Sequence, residues 1–184
     1  RARDTFIALP GLTLSIEEDD YFELVMKTAI KGYYEFMEGK PISVNITEME
    51  QPDVPLWAIW ALQQYAKETS KEECLKKYGK FIRNILQFIE GNHHPNLELH
   101  PNGLLYTNGK DKAVTWMNST ANGRPVVPRS GYIVEFNALW YNALCFGAAL
   151  AELDGKADQQ QHLLEIAEKT KQSFLDTFLN EYGY

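Results

Sequence analysis

Long stretches of the chain repeat apolar residues at three- and four-residue spacing, the pattern of helices that bury one face. Between 22 and 37, Phe22, Val25, Met26, Ala29, Ile30, Tyr33, Phe36 and Met37 fall on one stripe. Ser15 and Glu18 fit a capping box ahead of it, and Gly39 with Pro41 predicts its end. A third helix is expected to open near Asp53, read as its N-cap, with Pro55 in the first turn where no N–H is needed. It carries Leu56, Trp57, Ile59, Trp60, Leu62 and Tyr65. Ser70 and Glu73 form a second capping box, followed by Leu75, Tyr78, Ile82, Ile85, Leu86 and Ile89 on one face and a stop at Gly91.

The stretch 133–153 predicts a different kind of helix, apolar on nearly all sides: Phe136, Ala138, Leu139, Trp140, Tyr141, Leu144, Phe146, Leu150 and Leu153, with Gly155 ending it. Glu135, Asn137, Asn142 and Glu152 disfavour a membrane span, because polar groups are costly in lipid. A helix buried on both sides of a soluble protein fits better. A last helix over roughly 159–181 places Leu163, Ala167, Phe174 and Phe178 on one stripe. Between the two groups of helices, Pro95, Pro101, Gly103, Gly109, Gly123, Pro125, Pro128 and Gly131 break the periodicity over 92–132. Leu104, Leu105, Tyr106, Val114, Trp116 and Met117 argue that this segment is ordered, with short strand pairs. The fold class is therefore all-α. Alternating amphipathic and wholly buried helices suggest the concentric layers of an α/α toroid, with a plain helical bundle as the alternative.

Length and charge narrow the field. The 184 residues suit one domain. A net charge of −7 disfavours nucleic acid or an anionic membrane as main partner, since both call for a concentrated basic surface. Cys74 and Cys145 sit among apolar residues and read as buried thiols of a reducing, cytoplasmic setting. Arg1-Ala-Arg-Asp-Thr5 has neither a starting Met nor a signal-peptide core, so the chain reads as an excised piece. Aromatic residues make up 12% of the chain, a supply that serves the core and also suits a site stacking against sugar rings.

The sequence contains no P-loop, no paired CxxC and no Gly-x-Ser-x-Gly elbow. His93, His94, His100 and Glu98 lie close together, but their spacing matches no zinc pattern, and no metal is expected. Asn45-Ile-Thr47 and Asn118-Ser-Thr120 match the glycosylation sequon, which carries little weight in an intracellular chain. The informative residues are polar ones among aromatics: Arg3, Asp4, Asp53 beside Trp57, Trp116 with Asn118, and Arg129 with Glu135. Singly, each has a structural explanation. Asp53 serves as a helix cap, Arg3 and Asp4 as an ion pair, and Glu135 as an acidic residue favoured at a helix N-terminus.

Together they resemble a family. Arg3-Asp-Thr-Phe-Ile-Ala-Leu-Pro-Gly-Leu12 and Asp53-Val-Pro-Leu-Trp-Ala-Ile-Trp60 look like two motifs of the amylo-α-1,6-glucosidase domain of glycogen debranching enzymes. The longest match joins Thr115-Trp-Met-Asn118, Gly123-Arg-Pro-Val-Val-Pro-Arg129, Gly131 and Val134-Glu-Phe-Asn-Ala-Leu-Trp-Tyr-Asn-Ala-Leu144. The resemblance runs along the whole chain, and the chain corresponds to about half of such a domain. It implies an (α/α)6 toroid with a sugar site at the mouth of its inner helices. It implies inverting hydrolysis of the α-1,6-linked glucose at branch points of glycogen or branched dextrin, without metal or organic cofactor. Inversion requires a carboxylic acid and a carboxylate roughly 6.5–9.5 Å apart.

Carried onto this chain, the resemblance makes Arg3, Asp4 and Asp53 binders of glucose hydroxyls. Trp57, Trp116 and Trp140 become pocket walls, Arg129 a guide for carboxylates or sugar, and Asn137 a further binding residue. The family carries Asp after Thr-Trp-Met, where the general acid is expected; here Asn118 stands there, and an amide cannot deliver that proton. Glu135 is the nearest plausible donor in sequence, and the general base is expected in a later part of the domain. The expected partners are an α-glucan and the rest of the toroid, or a second copy covering the bare inner helices. A glycan-binding relative without catalysis and a helical scaffold without a sugar site are the alternative functions.

Overall fold

The computed structural model describes residues 1–183. Six α-helices dominate it: α1 (Ala2–Leu12), α2 (Asp19–Met37), α3 (Val54–Glu68), α4 (Lys71–Glu90), α5 (Val134–Leu153) and α6 (Ala157–Phe178). A 3-10 turn, Leu14–Ile16, joins α1 to α2. The 92–132 segment is ordered and contains short strands. β1 (Glu98–Leu99), β2 (Leu105–Thr107) and β5 (Gly131–Tyr132) form one antiparallel sheet in the order β1-β2-β5, and β3 (Thr120–Ala121) pairs with β4 (Arg124–Pro125) in a separate hairpin. The protein is all-α in class, and among the described residues no helix is long and apolar enough to cross a membrane.

The helix ends follow local chemistry, with several departures from the sequence pattern. The α2 terminus is a Schellman closure: Gly39 takes φ 66, its N–H reaches the Phe36 carbonyl, and the Lys40 N–H reaches Glu35. Ser70 caps α4 by accepting the Glu73 N–H at 3.0 Å. Ser15 caps nothing: it lies inside the 3-10 turn, and α2 begins after Glu18 without a side-chain cap. Asp53 occupies the N-cap position of α3, yet its carboxylate does not cap the helix. The last helix starts two residues earlier than its sequence stripe and ends three residues sooner. Arg3 and Asp4 lie within the first turn of α1.

Helix directions place all the inner N-termini together. A two-residue turn, Thr69–Ser70, makes α3 and α4 antiparallel neighbours. Along α4, Arg83 meets Asp154 at 3.6 Å, while Leu86, one turn farther on, lies over Gly147, two turns back along α5. α5 is therefore antiparallel to α4 and parallel to α3. Asn142 donates to Gln63 at 3.0 Å across these parallel helices. At 1.5 Å per residue, that bond lies about 12–14 Å from the N-terminus of each. Arg3 of α1 pairs with Asp53 at the head of α3, so α1, α3 and α5 all begin at one end.

Burial separates the layers. α3 and α5 are enclosed on most sides, with Leu56, Ile59, Leu62, Phe136, Trp140 and Leu144 in the core, whereas α4 and α6 bury one stripe each. Ala138 is an exception on α5, being exposed, and Phe174 and Phe178 of α6 are only half-buried. The 92–132 segment roofs the end where the inner helices begin. Asn137 holds it by accepting the Leu105 N–H at 2.7 Å and donating to the Leu105 carbonyl at 3.1 Å. Asn96 donates to the Glu50 carbonyl, and Thr170 and Ser173 of α6 donate to the carbonyls of Gly103 and Asn102.

Candidate active site

Two polar clusters stand at this roofed end. The first joins α1 to α3. Arg3 Nε donates to Asp53 Oδ2 at 2.6 Å and its Nη2 to Oδ1 at 2.9 Å, a two-pronged pairing with both side chains almost fully buried. Gln51 accepts from the same guanidinium at 3.5 Å, and the Trp57 indole N–H donates to Asp53 Oδ2 at 3.3 Å. Trp57 is half-buried and meets Trp60 edge-on at 5.5 Å. Burial raises the pKa of the Asp53 carboxyl above its ordinary value, against the pull of the Arg3 guanidinium and the Trp57 N–H. Both Asp53 oxygens are occupied, so the group acts on its surroundings through Arg3 and Trp57. Asp4 lies about 100° further round the helix and faces solvent.

The second cluster joins the roof to α5. Arg129 grips Glu135 with both guanidinium arms: Nη2 reaches Oε2 at 2.8 Å and Nη1 contacts Oε1. Glu135 lies in the first turn of α5. Burial alone would lift its pKa, but the Arg129 fork, a backbone N–H and the Trp116 indole N–H outweigh this and hold the carboxyl below its ordinary value. Glu135 is thus kept ionised, the opposite of what a proton donor at neutral pH requires. Trp116 leaves 60% of its surface exposed beside this carboxylate. Thr115, buried, fixes the strip leading to it by accepting the Met117 N–H at 3.1 Å. Asn118 follows, half-exposed, at the base of the β3–β4 hairpin.

Two residues that the sequence assigned to this site lie elsewhere. Asn137 is wholly buried, and its amide is consumed by Leu105 and by the Ile133 carbonyl. It is the clamp that seats the roof. Trp140 is also wholly buried, and its indole N–H finds no partner among the described residues. Both lie on the side of α5 that faces the core. Conversely, Gln51 and Ser130 escaped the sequence reading. Gln51 touches Arg3, and Ser130 accepts the Gly109 N–H at 3.3 Å beside Arg129. A polar residue in a loop carries no periodic signal that would have marked them.

The histidines separate as well. His94 is buried against Phe36 and Phe88, and burial lowers its pKa to about 4. His100 stacks on Tyr106 and contacts the Tyr132 hydroxyl at 2.7 Å. Among the described residues, no three His, Cys, Asp or Glu side chains converge as a metal site would need.

The chain thus presents two arginine–carboxylate pairs at the common head of α1, α3 and α5, one with the Trp57 N–H on its carboxylate and the other beside the exposed Trp116. Such an arrangement can hold a polyhydroxylated ring between fixed donors, acceptors and an indole face. No curated protein and no solved structure matches the chain significantly. The family model for amylo-alpha-1,6-glucosidase does, over residues 2–183. With virtually every residue inside that match, the chain belongs to the amylo-alpha-1,6-glucosidase family of glycogen-debranching glycosidases.

Proposed function

We propose that the chain forms the glucose-gripping side of an inverting α-1,6-glucosidase acting on branch points of glycogen or branched dextrin. The observation that carries this reading is the shared position of the Arg3–Asp53–Trp57 and Arg129–Glu135–Trp116 clusters at the head of α1, α3 and α5. In this reading the exposed Trp116 indole backs the terminal glucose ring. Arg129 and Glu135 form a fixed polar wall that bonds its hydroxyls, and Asn118 adds an amide at the rim. Arg3 and Asp53 act as positioning residues that lock the heads of α1 and α3 and orient Trp57. The proton for the leaving oxygen comes from a carboxyl other than Glu135, because Arg129 keeps Glu135 ionised. Further helical hairpins, or a second copy, lie against the outward face of α1, where Ile7 and Leu12 are exposed.

Glucose release from an α-limit dextrin by the protein, with the anomer followed by NMR, tests this reading. β-Glucose should appear first, as inversion demands, and Trp116→Ala should slow release at least tenfold. Release of α-glucose, or full activity in Trp116→Ala, sinks it. Asn118 favours a second reading, a glycan-binding relative without turnover. Dextrin binding without glucose release, with turnover appearing in Asn118→Asp, supports that alternative.

A further inference from the structure

A cavity of about 500 Å³ opens on the roof, and its lining shares no residue with either cluster. Strand pairing sets Glu98, Tyr106 and Tyr132 in register on one side of the three-stranded sheet. His100 lies flat on the Tyr106 ring at 5.0 Å and 10°, and Tyr132 meets both rings edge-on. The Tyr132 hydroxyl is held in turn by His100 Nδ1 at 2.7 Å and by the Asn102 amide at 3.2 Å. Tyr106, which lines the cavity, is therefore a pre-set aromatic surface that needs no ligand to order it.

Apart from Pro95 and Leu97, the rest of the lining is polar and nearly balanced in charge. Asn96 and Asn108 bring side-chain amides or backbone groups, Glu98 and Asp111 bring carboxylates, and Lys112 brings one cation. His94 closes the inner wall. Its Nδ1 accepts the Asn96 N–H at 3.1 Å, while its Nε2 is buried and finds no partner among the described residues. Two carboxylates against one lysine repel an anion. The two carboxylates alone, without a third ligand, do not make a metal site. An uncharged ligand bearing many hydroxyls satisfies all of these groups at once, with its C–H faces on Tyr106 and its hydroxyls on the amides and carboxylates.

The cavity also stands next to both clusters. Asn96 donates to the Glu50 carbonyl at 2.9 Å, one residue before Gln51, which touches Arg3. Ser130, one residue from Arg129, contacts Asn108 at 3.4 Å. We propose that this cavity is a second α-glucan site, binding a short run of the linear chain that carries the branch while the branch glucose occupies the helix mouth. The proposal rests on the α-glucan reading given above.

Calorimetric titration of the protein with maltohexaose tests it. Asp111→Ala, an exposed residue whose loss leaves the core intact, and Tyr106→Leu should each weaken binding about five- to tenfold. The melting temperature of Asp111→Ala should stay unchanged. If both variants bind maltohexaose like the wild type while Trp116→Ala abolishes binding, the sugars sit only at the mouth. The cavity proposal then falls while the glucosidase reading stands. If the wild type binds no maltohexaose and releases no glucose from dextrin, the α-glucan reading and this proposal fall together.

Discussion

Burying Arg3 and Asp53 together ties two helix heads that are fifty residues apart in sequence. Removing one member leaves the other charged and unpaired in the core. Asp53→Leu alone should therefore destabilise the protein by about 3–5 kcal/mol. Arg3→Met with Asp53→Leu should restore most of that loss, because the pair's own desolvation is then no longer required. Urea unfolding of the two variants checks this; equal losses in both would show that the ion pair itself, and not an orphaned charge, carries the stability. The same pair shows what a sequence conceals at this scale. A helix-cap reading of Asp53 was reasonable from its place before Pro55, but the partner that competes for its carboxylate is remote along the chain. Asn137 and Trp140 misled for a related reason. Their neighbours in sequence reach the mouth, while the roughly 100° step from one helical residue to the next is enough to point a side chain into the core.

Among the elements, the roof depends on a close crossing of its own strands. A Cβ on Gly109 would overlap the Arg129 carbonyl oxygen and press on Val114. Backbone cannot yield there as a flexible side chain could. Gly109→Ala should cost about 1–3 kcal/mol. It should also push the 124–132 strip off its seat, loosening the Arg129–Glu135 fork. Hydrogen exchange should show faster exchange in that strip with the α3–α4 core unchanged; unaltered protection there would refute the crossing. Helices were the legible elements, because apolar spacing reports a face directly. Their ends were less so. Ser70 with Glu73 and Ser15 with Glu18 share one pattern, yet only the first caps a helix. At the second, the Ile16 N–H turns back to the Thr13 carbonyl and Glu17 takes φ 61, so the chain reverses before α2 can use Ser15. The short strands of the roof had no periodicity long enough to read.

The molecule as a whole carries a pH dependence set by His94, which links the C-terminal ends of α2 and α4 to the roof through Phe36, Phe88 and Asn96. In the unfolded chain this imidazole takes up its proton near pH 6.5; in the folded chain it holds out to about 4. Its contribution to stability is therefore complete above 6.5 and declines as the pH falls between those values. By pH 5 the loss should reach about 2 kcal/mol. In His94→Gln that component should vanish, so the difference in unfolding free energy between pH 7 and pH 5 should shrink by the same amount. An unchanged difference would mean that the imidazole is hydrated in the native state. The two-layer alternation was readable because buried α3 and α5 contrast with striped α4 and α6, and the family resemblance because its motifs at 3–12, 53–60 and 115–144 are contiguous runs. The common direction of the inner helices was not, since it follows from cross-helix contacts such as Arg83–Asp154.

The connections at the two ends of the helices differ sharply in length. Thr69–Ser70 and Asp154–Lys156 close one end with tight turns, while 38–53 and 91–133 wander over the other. The bundle is thus wired so that its fixed joints and its variable surface never share an end. Swapping a foreign segment into 119–124, all exposed, or lengthening it, would rewrite what the mouth touches without asking any helix to repack. Altering a single residue of the tight turns would instead propagate along two helices at once. A laboratory search for altered sugar preference therefore has a natural boundary: it can explore the exposed positions of the long connections and leave their buried seats and the short turns alone.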